Sequence, residues 1–508
     1  MNSTDVIVVG AGPVGMTVAA LLHRARLSIR ILDARPDRVG QLRAAVIHPR
    51  TLEILESLPA DPAVTGGASL AARMVDTGIP RPSAHFASLP DHLPYGNLDT
   101  SYPFVLTLTQ PETERLLDEH LAAAGVVVET GWEVTGLEQN DDGVTVTGAG
   151  GRRARARYVV GADGAHSAVR KSAGIDFPGT DSTGVGFLAD VRLDRPPTTT
   201  HHWDVERGWY SVVPLTDGVH RLFGMEPGDS NLTPERARIR QTEDFGEAEL
   251  RALLWRLTGD DLGLREILRT ARLGNATRHA DRYRAGRVFL AGDAAHVHLP
   301  AAGQGMNVGM QDAANLAWKL AAEASGRAPA SIIDGPRSFD AERRPIAARL
   351  ASNTLAQGAL MTTFTPGNAA LRELMSNLIA RDGDTADELR GWVSGLDIAY
   401  APAGIGPQGA PAGRRVPNLP LTTGETLHRA LHPDQFALIA LDSTAIPIPH
   451  HERVIPLRSI RGWEGRAAVL VRPDGYAAAA WHGEELADTA AVSDVIAEWT
   501  GAQQNSYL

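Results

Sequence analysis

Apolar runs alternate with glycines at the start of the chain in an order typical of a nucleotide-binding βαβ unit. Residues 6–9 (VIVV) predict a buried strand, the glycines at 10, 12 and 15 predict a tight turn, and the apolar stretch after them predicts a helix. The next apolar run, SIRILD, ends at Asp33, where a carboxylate would accept hydrogen bonds from ribose hydroxyls and repel a 2′-phosphate. The pattern therefore predicts a dinucleotide site that is unsuited to NADP, and it leaves FAD and NAD both open.

A second strand-and-turn pattern lies in YVVGADGAHSAVR, residues 158–170. The apolar run ends at Asp163–Gly164, a turn that tolerates positive φ at the glycine, and the chain then enters a predicted helix at Ser167. By itself this pattern fits an ordinary turn between a strand and a helix as well as it fits a nucleotide contact.

A third pattern, RVFLAGDAAH at 287–296, favours FAD. The apolar strand ends at Gly292–Asp293, and the loop then passes Pro300 and reaches Gly303–Asn307 before another predicted helix. A carboxylate at the end of a strand can bind the hydroxyls of a polyol, and the free N–H groups of a helix N-terminus suit an anionic ring edge. This combination matches the ribityl chain and isoalloxazine ring of a flavin, whereas NAD has neither feature.

The composition of the chain limits its possible partners, location and chemistry. A chain of 508 residues is expected to form roughly two or three domains. Its formal net charge of −11 gives no general attraction to nucleic acid or to an anionic membrane, and no apolar run approaches the roughly 18 residues of a membrane span. Because cysteine is absent, disulfides and thiolate catalysis are excluded, and the adjacent histidine pairs lack a third ligand, so no metal site is predicted. We expect no signal peptide and a cytoplasmic location.

Several motifs occur together in a fixed order over about residues 5–350. They are GAGPVG at 10–15, Arg43 with RTLEIL at 50–55, Gln110, VVGADGAHSAVR at 159–170, and LAGDAAH with GQGMNVGMQDAANLAWKL at 290–320. In order and spacing they resemble the flavin-dependent aromatic hydroxylases of the para-hydroxybenzoate hydroxylase type. The resemblance implies an α/β fold with a Rossmann-like FAD-binding domain, an inserted β-rich substrate domain and a C-terminal thioredoxin-like domain.

The resemblance and the changes of texture along the chain predict its division into domains. The predicted parts are 1–70, 106–175 and 276–395 for the FAD-binding domain, 71–105 and 176–275 for the substrate domain, 396–420 for a linker, and 421–508 for the C-terminal domain. The last of these resembles the thioredoxin-like appendage of phenol hydroxylase and of the polyketide-tailoring members, mainly through LVRPDGYAAAAW at 470–481. Since it has no cysteine, it cannot exchange disulfides, and we expect a role in packing or oligomerisation.

The resemblance also implies which residues hold a non-covalently bound FAD. The phosphates would lie over Gly12, the ribose at Asp33 and the flavin ring over the backbone of 303–307, while Asp163–Gly164 would contact both FAD and NADPH. The predicted cofactor-binding residues are Gly10, Gly12, Pro13, Val14, Gly15, Asp33, Ala34, Arg35, Arg43, Gln110, Asp163, Gly164, Gly292, Asp293, Pro300, Gly303, Gln304, Gly305, Met306 and Asn307. Three of these, Pro300, Gly303 and Arg43, are also predicted to be catalytic.

The activity that the resemblance implies is hydroxylation of an aromatic substrate with NADPH or NADH and O₂, through a flavin C4a-hydroperoxide. A tail of this type favours a polycyclic polyketide or another secondary metabolite as the substrate. The alternatives are Baeyer–Villiger or epoxidising oxygen insertion and, from a different class, a non-catalytic flavoprotein that binds or sequesters a metabolite or antibiotic. We expect a monomer or homodimer without a nucleic-acid or membrane partner.

Two local features modify this picture. Where the family usually has a Pro-Pro pair and a Gly-Gly pair, this chain has Leu299–Pro300 and Ala301–Gly303, and alanine disfavours the positive φ that glycine adopts easily. On the predicted strands of the middle region, aromatic and apolar side chains form either a hydrophobic core face or a wall of the substrate site, namely Trp209, Tyr210, Phe223 and Met225. We predict that His220 and Arg221 are exposed hairpin residues, and no residue stands out as a general base.

Overall fold

The computed structural model describes residues 4–37, 44–59, 67–400, 412–442 and 451–501. Up to residue 180 the described strands are β1 (Thr4–Val9), β2 (Ile29–Leu32), β3 (Val46–Ile47), β4 (Ile79–Arg81), β5 (Ser83–Ala84), β6 (Leu93–Pro94), β7 (Val105–Thr107), β8 (Val128–Glu129), β9 (Val134–Asn140), β10 (Gly143–Gly148), β11 (Arg153–Gly161) and β12 (Gly179–Thr180). The helices of this part are α1 (Pro13–Arg24), α2 (Pro49–Glu56), α3 (Leu70–Thr77), α4 (Gln110–Ala123) and α5 (Ala168–Ser172).

The middle of the chain adds a second group of strands and two helices. These are β13 (Val185–Leu193), β14 (His201–Asp204), β15 (Gly208–Pro214), β16 (His220–Met225) and β17 (Leu264–Gly274), with α6 (Pro234–Thr242) and α7 (Glu247–Thr258) before β17. The chain then returns to the first part through β18 (Thr277–His279), β19 (Arg284–Ala285), β20 (Val288–Leu290) and β21 (His296–Val297). Five helices follow, α8 (Gln304–Ala324), α9 (Ala330–Ile333), α10 (Phe339–Thr362), α11 (Pro366–Ala380) and α12 (Asp384–Ser394).

The first part is built on a sheet of order β19-β20-β11-β1-β2-β8. β1 runs parallel to β2 and β11, and β11 runs parallel to β20. Because both faces of a parallel sheet are normally buried, helices pack on them, and the buried residues of β1, α1 and α8 belong to one hydrophobic core. The predicted βαβ unit at the N-terminus is therefore confirmed, and β9 and β10 form a hairpin whose turn is Asp141–Asp142.

The inserted sheet is antiparallel, in the order β14-β15-β16-β13-β17. One of its faces packs against α6 and α7. The other faces a separate hydrophobic cluster that contains residues of the segments 84–95 and 299–302 and of α10, α11 and α12. Residues 71–77, which we assigned to the substrate domain, instead pack in the core of the FAD-binding sheet through Ala71 and Met74.

The C-terminal part contains the short helix α13 (Leu427–Ala430), four strands and a final helix. The strands are β22 (Phe436–Ala440), β23 (Val454–Arg458), β24 (Ala468–Val471) and β25 (Ala477–Trp481), in the order β23-β22-β24-β25, and the helix is α14 (Thr489–Thr500). β22 runs parallel to β23 and antiparallel to β24. This arrangement suits a thioredoxin-like domain, which stays a prediction.

The predicted linker, 396–420, lies partly outside the described residues, since 401–411 are not described. Val416 and Leu419 are buried in the core of the C-terminal domain, so this end of the linker belongs to that domain. In the described parts of the chain, no helix is long and apolar enough to cross a membrane.

Candidate active site

The three predicted loops lie together at one edge of the parallel sheet. Gly10 follows β1, Asp163 follows β11 and Gly292 follows β20, and these three strands are parallel neighbours. The carboxyl ends of parallel strands form the crevice in which α/β proteins bind nucleotides. The fold thus brings together segments that are separated by more than a hundred residues of sequence.

The glycines of the first loop fall into two kinds, those where packing excludes a side chain and one that faces open space. Gly10 has a φ of 101°, and a Cβ on it would lie 2.3 Å from the carbonyl oxygen of Ala162. A Cβ on Gly15 would lie 1.9 Å from the carbonyl oxygen of Gly10, so packing excludes a side chain at both positions. A Cβ on Gly12, at the N-terminus of α1, would meet no atom within 4 Å. The open space over Gly12, beside the free N–H groups of the first helical turn, is the space that a diphosphate needs.

Asp33 is buried beneath this loop and holds it in place. Its Oδ2 accepts a hydrogen bond from the backbone N–H of Ala11 at 2.7 Å, and its Oδ1 accepts from the backbone N–H and the Nε of Arg35, both at 2.9 Å. Burial alone would raise the pKa of Asp33, but the hydrogen bonds from Arg35 and Ala11 outweigh it and lower the pKa. A permanently charged carboxylate therefore lies at the edge of the loop, beside the exposed Ala34.

Asp163 is hydrogen-bonded by the helix that follows it and by the residue that caps that helix. Its carboxylate accepts hydrogen bonds from the hydroxyl of Ser167 and, at 3.1 Å, from the backbone N–H of Val169, and burial raises its pKa. The adjacent Gly164 has a φ of 80°, as the predicted turn requires. The structure supports a helix-capping role for Asp163, and its contact with a nucleotide stays a proposal.

Asp312, in the buried middle of α8, fixes the Gly292–Asp293 turn. It accepts hydrogen bonds from the backbone N–H of Gly292 at 3.2 Å, from Nε2 of His296 at 2.7 Å and from Nε of Arg343 at 2.7 Å. We did not predict this role, although a carboxylate within a helix that is mostly apolar is a signal for a buried partner. Val14 supports the same turn, because a Cβ on Gly292 would lie 2.9 Å from one of its methyl groups.

The N-terminus of α8 carries the second group of predicted residues. Gly303 caps the helix with a φ of 66°, and no side chain caps its first turn, so backbone N–H groups are available to an anionic ligand. Asn307 ties this turn to β3, since its Oδ1 accepts from the backbone N–H of His48 at 2.8 Å and its Nδ2 donates to the carbonyl oxygens of Val46 and Gly303.

Ala302 adopts the positive φ that we expected alanine to disfavour. Its φ is 51°, a conformation that costs a residue with a Cβ on the order of 1–2 kcal/mol. Its carbonyl oxygen lies 2.8 Å from Nε2 of the buried His48, and burial lowers the pKa of that imidazole to about 4, so the contact is a hydrogen bond from neutral His48. His48, which sequence reasoning missed, holds strained backbone beside the proposed flavin ring.

The other predicted residues are placed as follows. Gln110 begins α4, where its Nε2 donates to Glu114 at 2.7 Å. Pro13 is the first residue of α1, Met306 packs partly against the main core, and Gln304 is buried and donates to the carbonyl oxygen of Ala301. Asp293 and the exposed Pro300 lie in the loop between β20 and α8. Arg43, predicted to be catalytic, lies outside the described residues.

The inserted sheet presents three of the four predicted substrate residues toward this loop. Trp209, Met225 and, in part, Phe223 pack in the cluster that contains Leu299 and Ala302. Tyr210 lies on the opposite face, in the core formed with α6 and α7, because consecutive residues of a strand point to opposite sides. Tyr210 is therefore removed from the proposed substrate wall.

Arg221 is buried, so our prediction of an exposed hairpin residue was wrong. It lies within β16, and its guanidinium makes a two-point contact with Asp190 of β13, with Nε to Oδ1 and Nη2 to Oδ2 both at 2.8 Å. It also donates to the carbonyl oxygen of Ala44, next to the segment that contains Arg43. Arg221 thus joins the inserted sheet to the FAD-binding part.

Comparison with known proteins agrees with this site. Residues 3–354 match a protein-family model described as an FAD binding domain, and residues 410–503 match one described as the C-terminal part of aromatic-ring hydroxylases. The chain belongs to the FAD-dependent aromatic hydroxylases. The predicted family, fold class and FAD-dependent monooxygenase activity are thereby confirmed.

Individual members of this hydroxylase family are similar over almost their whole length. The 12-dehydrotetracycline 5-monooxygenase/anhydrotetracycline 6-monooxygenase of Streptomyces rimosus is 35% identical over 533 residues, which cover 98% of this chain and 99% of that protein. A rifampicin monooxygenase of Streptomyces venezuelae is 35% identical over 499 residues, covering 95% and 96%. The solved structure of an anhydrotetracycline hydroxylase from Streptomyces rimosus matches with a TM-score of 0.83 at 34% identity, covering 98% and 99%.

The residues of this hydroxylase fit the cofactor of its family. The space over Gly12 would leave room for the diphosphate, the charged Asp33 could accept hydrogen bonds from a ribose, and the uncapped turn at Gly303 would supply donors for an anionic ring edge. The two helix N-termini and the carboxylate that a flavin nucleotide needs are thus all present at one sheet edge.

Proposed function

We propose that this hydroxylase uses NADPH or NADH together with O₂ to hydroxylate a polycyclic aromatic substrate of the polyketide type. The observation that carries the proposal is the apolar cluster between the inserted sheet and the N-terminus of α8. Trp209, Phe223 and Met225 line one side of it, and the backbone that leads into Gly303 lines the other. A flat apolar ring would lie there against the proposed flavin position.

The proposed FAD site extends along the sheet edge. Gly10–Gly15 and Asp33 would hold the adenosine half, and Gly292–Asp293 with the turn at 303–307 would hold the flavin half. When bound, the flavin supplies the redox chemistry, because it takes electrons from a reduced nicotinamide and passes them to O₂. The nicotinamide donor is itself part of the proposal.

The chain contributes position, electrostatics and exclusion of water. The free N–H groups at the start of α8 would offset negative charge on a ring edge bound there by on the order of 1 kcal/mol, and by more in a dry site. Leu299 and Ala301 are buried beside this turn, so the apolar cluster keeps water from the reacting atoms.

The substrate class rests on the apolar and aromatic character of this cluster and on the relatives. Aromatic and aliphatic side chains dominate it, as a multi-ring ligand requires. The tetracycline and rifampicin monooxygenases named above act on large multi-ring compounds, and this chain is similar to them from end to end. We therefore infer a polycyclic substrate rather than a simple phenol.

The test is turnover by the purified holoenzyme with a panel of polycyclic phenols and quinones. We expect a yellow protein that releases intact FAD on heating, substrate-stimulated consumption of NADPH or NADH, and a product that gains one oxygen atom as a ring hydroxyl. A ring-expanded lactone or an epoxide would support oxygen insertion of the other kinds. Tight binding of the ligands without any nicotinamide consumption would overturn the proposal in favour of a metabolite-binding flavoprotein.

A further inference from the structure

Three histidines from distant segments meet at the edge of the inserted sheet. His85 and His92 lie on the two arms of the β5–β6 hairpin, and His201 begins the edge strand β14. The ring centroids of His85 and His201 are 4.7 Å apart, and those of His92 and His201 are 5.3 Å apart. Each of the three residues is only partly buried, so accessible surface remains beside the cluster.

Each of these imidazoles is held through Nδ1. The Nδ1 of His85 accepts from the backbone N–H of Ser88 at 3.2 Å, and the Nδ1 atoms of His92 and His201 lie 3.3 Å and 2.6 Å from the hydroxyls of Ser83 and Ser211. Among the described residues, none hydrogen-bonds to any of the three Nε2 atoms. Because Nδ1 of His85 is an acceptor, neutral His85 carries its proton on Nε2, a donor that is used by no described residue.

Strained backbone orients His85. Ala87 and Ser88 both have positive φ, 51° and 49°, and Ser88 is the residue whose N–H holds the His85 ring. The buried guanidinium of Arg372 donates to the carbonyl oxygens of Ala87 at 3.1 Å and of Ser88 at 2.8 Å, so a buried cation maintains this turn. Strain of this kind persists only where the surroundings enforce it, and it concentrates at functional sites.

The histidines lie on the substrate side of the sheet. His201 pairs with Ser211, which shares a face with Trp209, two residues earlier on β15. His202, the neighbour of His201, stacks on Tyr210 on the opposite face, with ring centroids 4.5 Å apart.

A chain of buried amides connects His85 to the turn at the proposed flavin. Gln357 accepts from the backbone N–H of Ala87 at 2.9 Å and donates to Asn353 at 2.6 Å. Gln304, at the start of α8, also donates to Asn353, at 3.5 Å. The His85 segment and the start of α8 are thus connected through two side chains of α10 that are hydrogen-bonded to each other.

The histidines are neutral at physiological pH. Burial, together with neighbouring histidines, lowers the pKa of His85 to about 3 and of His201 to about 2, and burial lowers that of His92, which the charge of Asp91 partly opposes. The other groups whose charges act on them are His48, His202 and Arg372. Neutral imidazoles of low basicity suit hydrogen bonding to a hydroxyl group rather than proton abstraction from it.

We propose that His85, His92 and His201 form a polar subsite that recognises a ring hydroxyl of the substrate and so selects phenolic polycycles. A hydroxyl both accepts and donates, so it would accept from Nε2–H of His85 and donate to Nε2 of His201 or His92. This inference rests on the proposed function, because it takes the apolar cluster to be the substrate site. It adds that the orientation of the ring is set at the edge strand of the inserted sheet.

Equilibrium binding to the oxidised holoenzyme tests this subsite, with 2-hydroxyanthraquinone and 2-methylanthraquinone as probes of nearly equal size. We expect the wild type to prefer the hydroxyl probe by about tenfold, and His85→Phe and His201→Phe to lose most of that preference while keeping FAD and affinity for the methyl probe. His202→Phe, on the opposite face of the same strand, is the matched control and keeps the wild-type preference. Retained FAD content and an unchanged thermal midpoint identify the folded variants.

Equal affinity of the wild type for the two probes, or a preference that survives both substitutions, would overturn the subsite. Oxygenated product from the same probes is measured in parallel to separate the two proposals. A lost preference with product still formed supports the subsite. Absence of product from any ligand together with a histidine-dependent preference would remove the proposed function and leave the subsite standing.

Discussion

Arg472 of the C-terminal domain makes a two-point salt bridge with Glu342 of α10, with Nη1 to Oε1 and Nη2 to Oε2 both at 2.8 Å. Both side chains are buried, and the same Glu342 also accepts from Lys319 of α8 at 2.6 Å. Asp474 completes the cluster by accepting from Arg472, Asn315 and Trp318. The helix whose N-terminus faces the proposed flavin is therefore bound to the C-terminal domain through ionic groups that water does not reach.

Arg472→Met tests how strongly this contact stabilises the protein. We expect the free energy of unfolding of the holoenzyme to fall by about 3–5 kcal/mol, since removing one partner leaves a buried carboxylate with too few counter-charges. The control is Arg461→Met, which breaks an exposed salt bridge from the C-terminal domain to Asp99 and should cost about 0–1 kcal/mol. Urea unfolding followed by tryptophan fluorescence measures both, and equal losses for the two variants would contradict the prediction.

Asp33→Ala is expected to weaken the binding of FAD by about 10- to 100-fold, because the carboxylate both orders the glycine loop through Ala11 and faces the ribose position. Turnover at saturating FAD should stay close to that of the wild type, since Asp33 is remote from the N-terminus of α8. Titration of the apoprotein with FAD measures the affinity.

Gly305→Pro is the contrasting variant at the other end of the cofactor. It removes one backbone donor from the first turn of α8, and a Cβ at this position lies 3.1 Å from Nε2 of His298, so the turn is also displaced. We expect FAD to remain bound while flavin reduction slows or more of the consumed NADPH yields hydrogen peroxide. The division between the two ends of FAD fails if Asp33→Ala raises the peroxide yield and Gly305→Pro only loses FAD.

Local patterns were sufficient to predict the nucleotide-binding part. Each of β1, β11 and β20 is an apolar run that ends at a turn containing glycine or aspartate. Because these strands pair in parallel, their carboxyl ends and the three turns lie at one edge of the sheet. Each of these strand-and-turn patterns occupies about ten consecutive residues, so the positions of apolar residues and glycines are enough to predict it.

The substrate side depends on contacts that no local pattern records. Arg221 was predicted to be an exposed hairpin residue because its partner, Asp190, lies opposite it on another strand and is distant in the sequence. The grouping of His85, His92 and His201 requires the β5–β6 hairpin to lie against the edge of another sheet. Tyr210 was wrongly included among the substrate residues, because neighbouring positions on one strand were not assigned to opposite faces.

Acid is expected to destabilise the protein over two overlapping pH ranges, of which the histidine range begins at higher pH. Burial lowers the pKa of His48 and of His428 to about 4, so below about pH 6.5 the unfolded chain binds protons that the folded protein does not, and stability falls as pH drops toward 4. Each such histidine contributes a slope of about 1.4 kcal/mol per pH unit. The pKa of Glu342 is lowered to about 2, against the effect of burial, by Arg472 and Lys319, so its contribution is lost only below about pH 4.5.

Unfolding free energies measured at pH 7.5, 6.5 and 5.5 isolate the histidine window. His428→Asn should flatten the slope between pH 6.5 and 5.5 relative to the wild type. A slope that is the same in the variant and the wild type would show that His428 does not titrate on unfolding.

Trp209→Phe separates substrate binding from stability at the proposed ring site. The indole N–H of Trp209 is buried without a hydrogen-bond partner among the described residues, so its removal relieves an unsatisfied donor and should offset part of the lost packing, leaving the thermal midpoint within a few degrees of the wild type. Because Trp209 faces the cluster that contains Leu299 and Ala302, the KM for a polycyclic substrate should rise severalfold.

The matched variant is Tyr210→Phe, one position along the same strand and on the face that packs against α6 and α7. It removes only the phenol hydroxyl, and it should leave KM unchanged because Tyr210 lies on the face of the sheet opposite Trp209. Steady-state kinetics and thermal unfolding of both variants decide the assignment. If Tyr210→Phe raised KM as much as Trp209→Phe did, the substrate would lie on the other face of the sheet, and the ring site inferred from this cluster would be wrong.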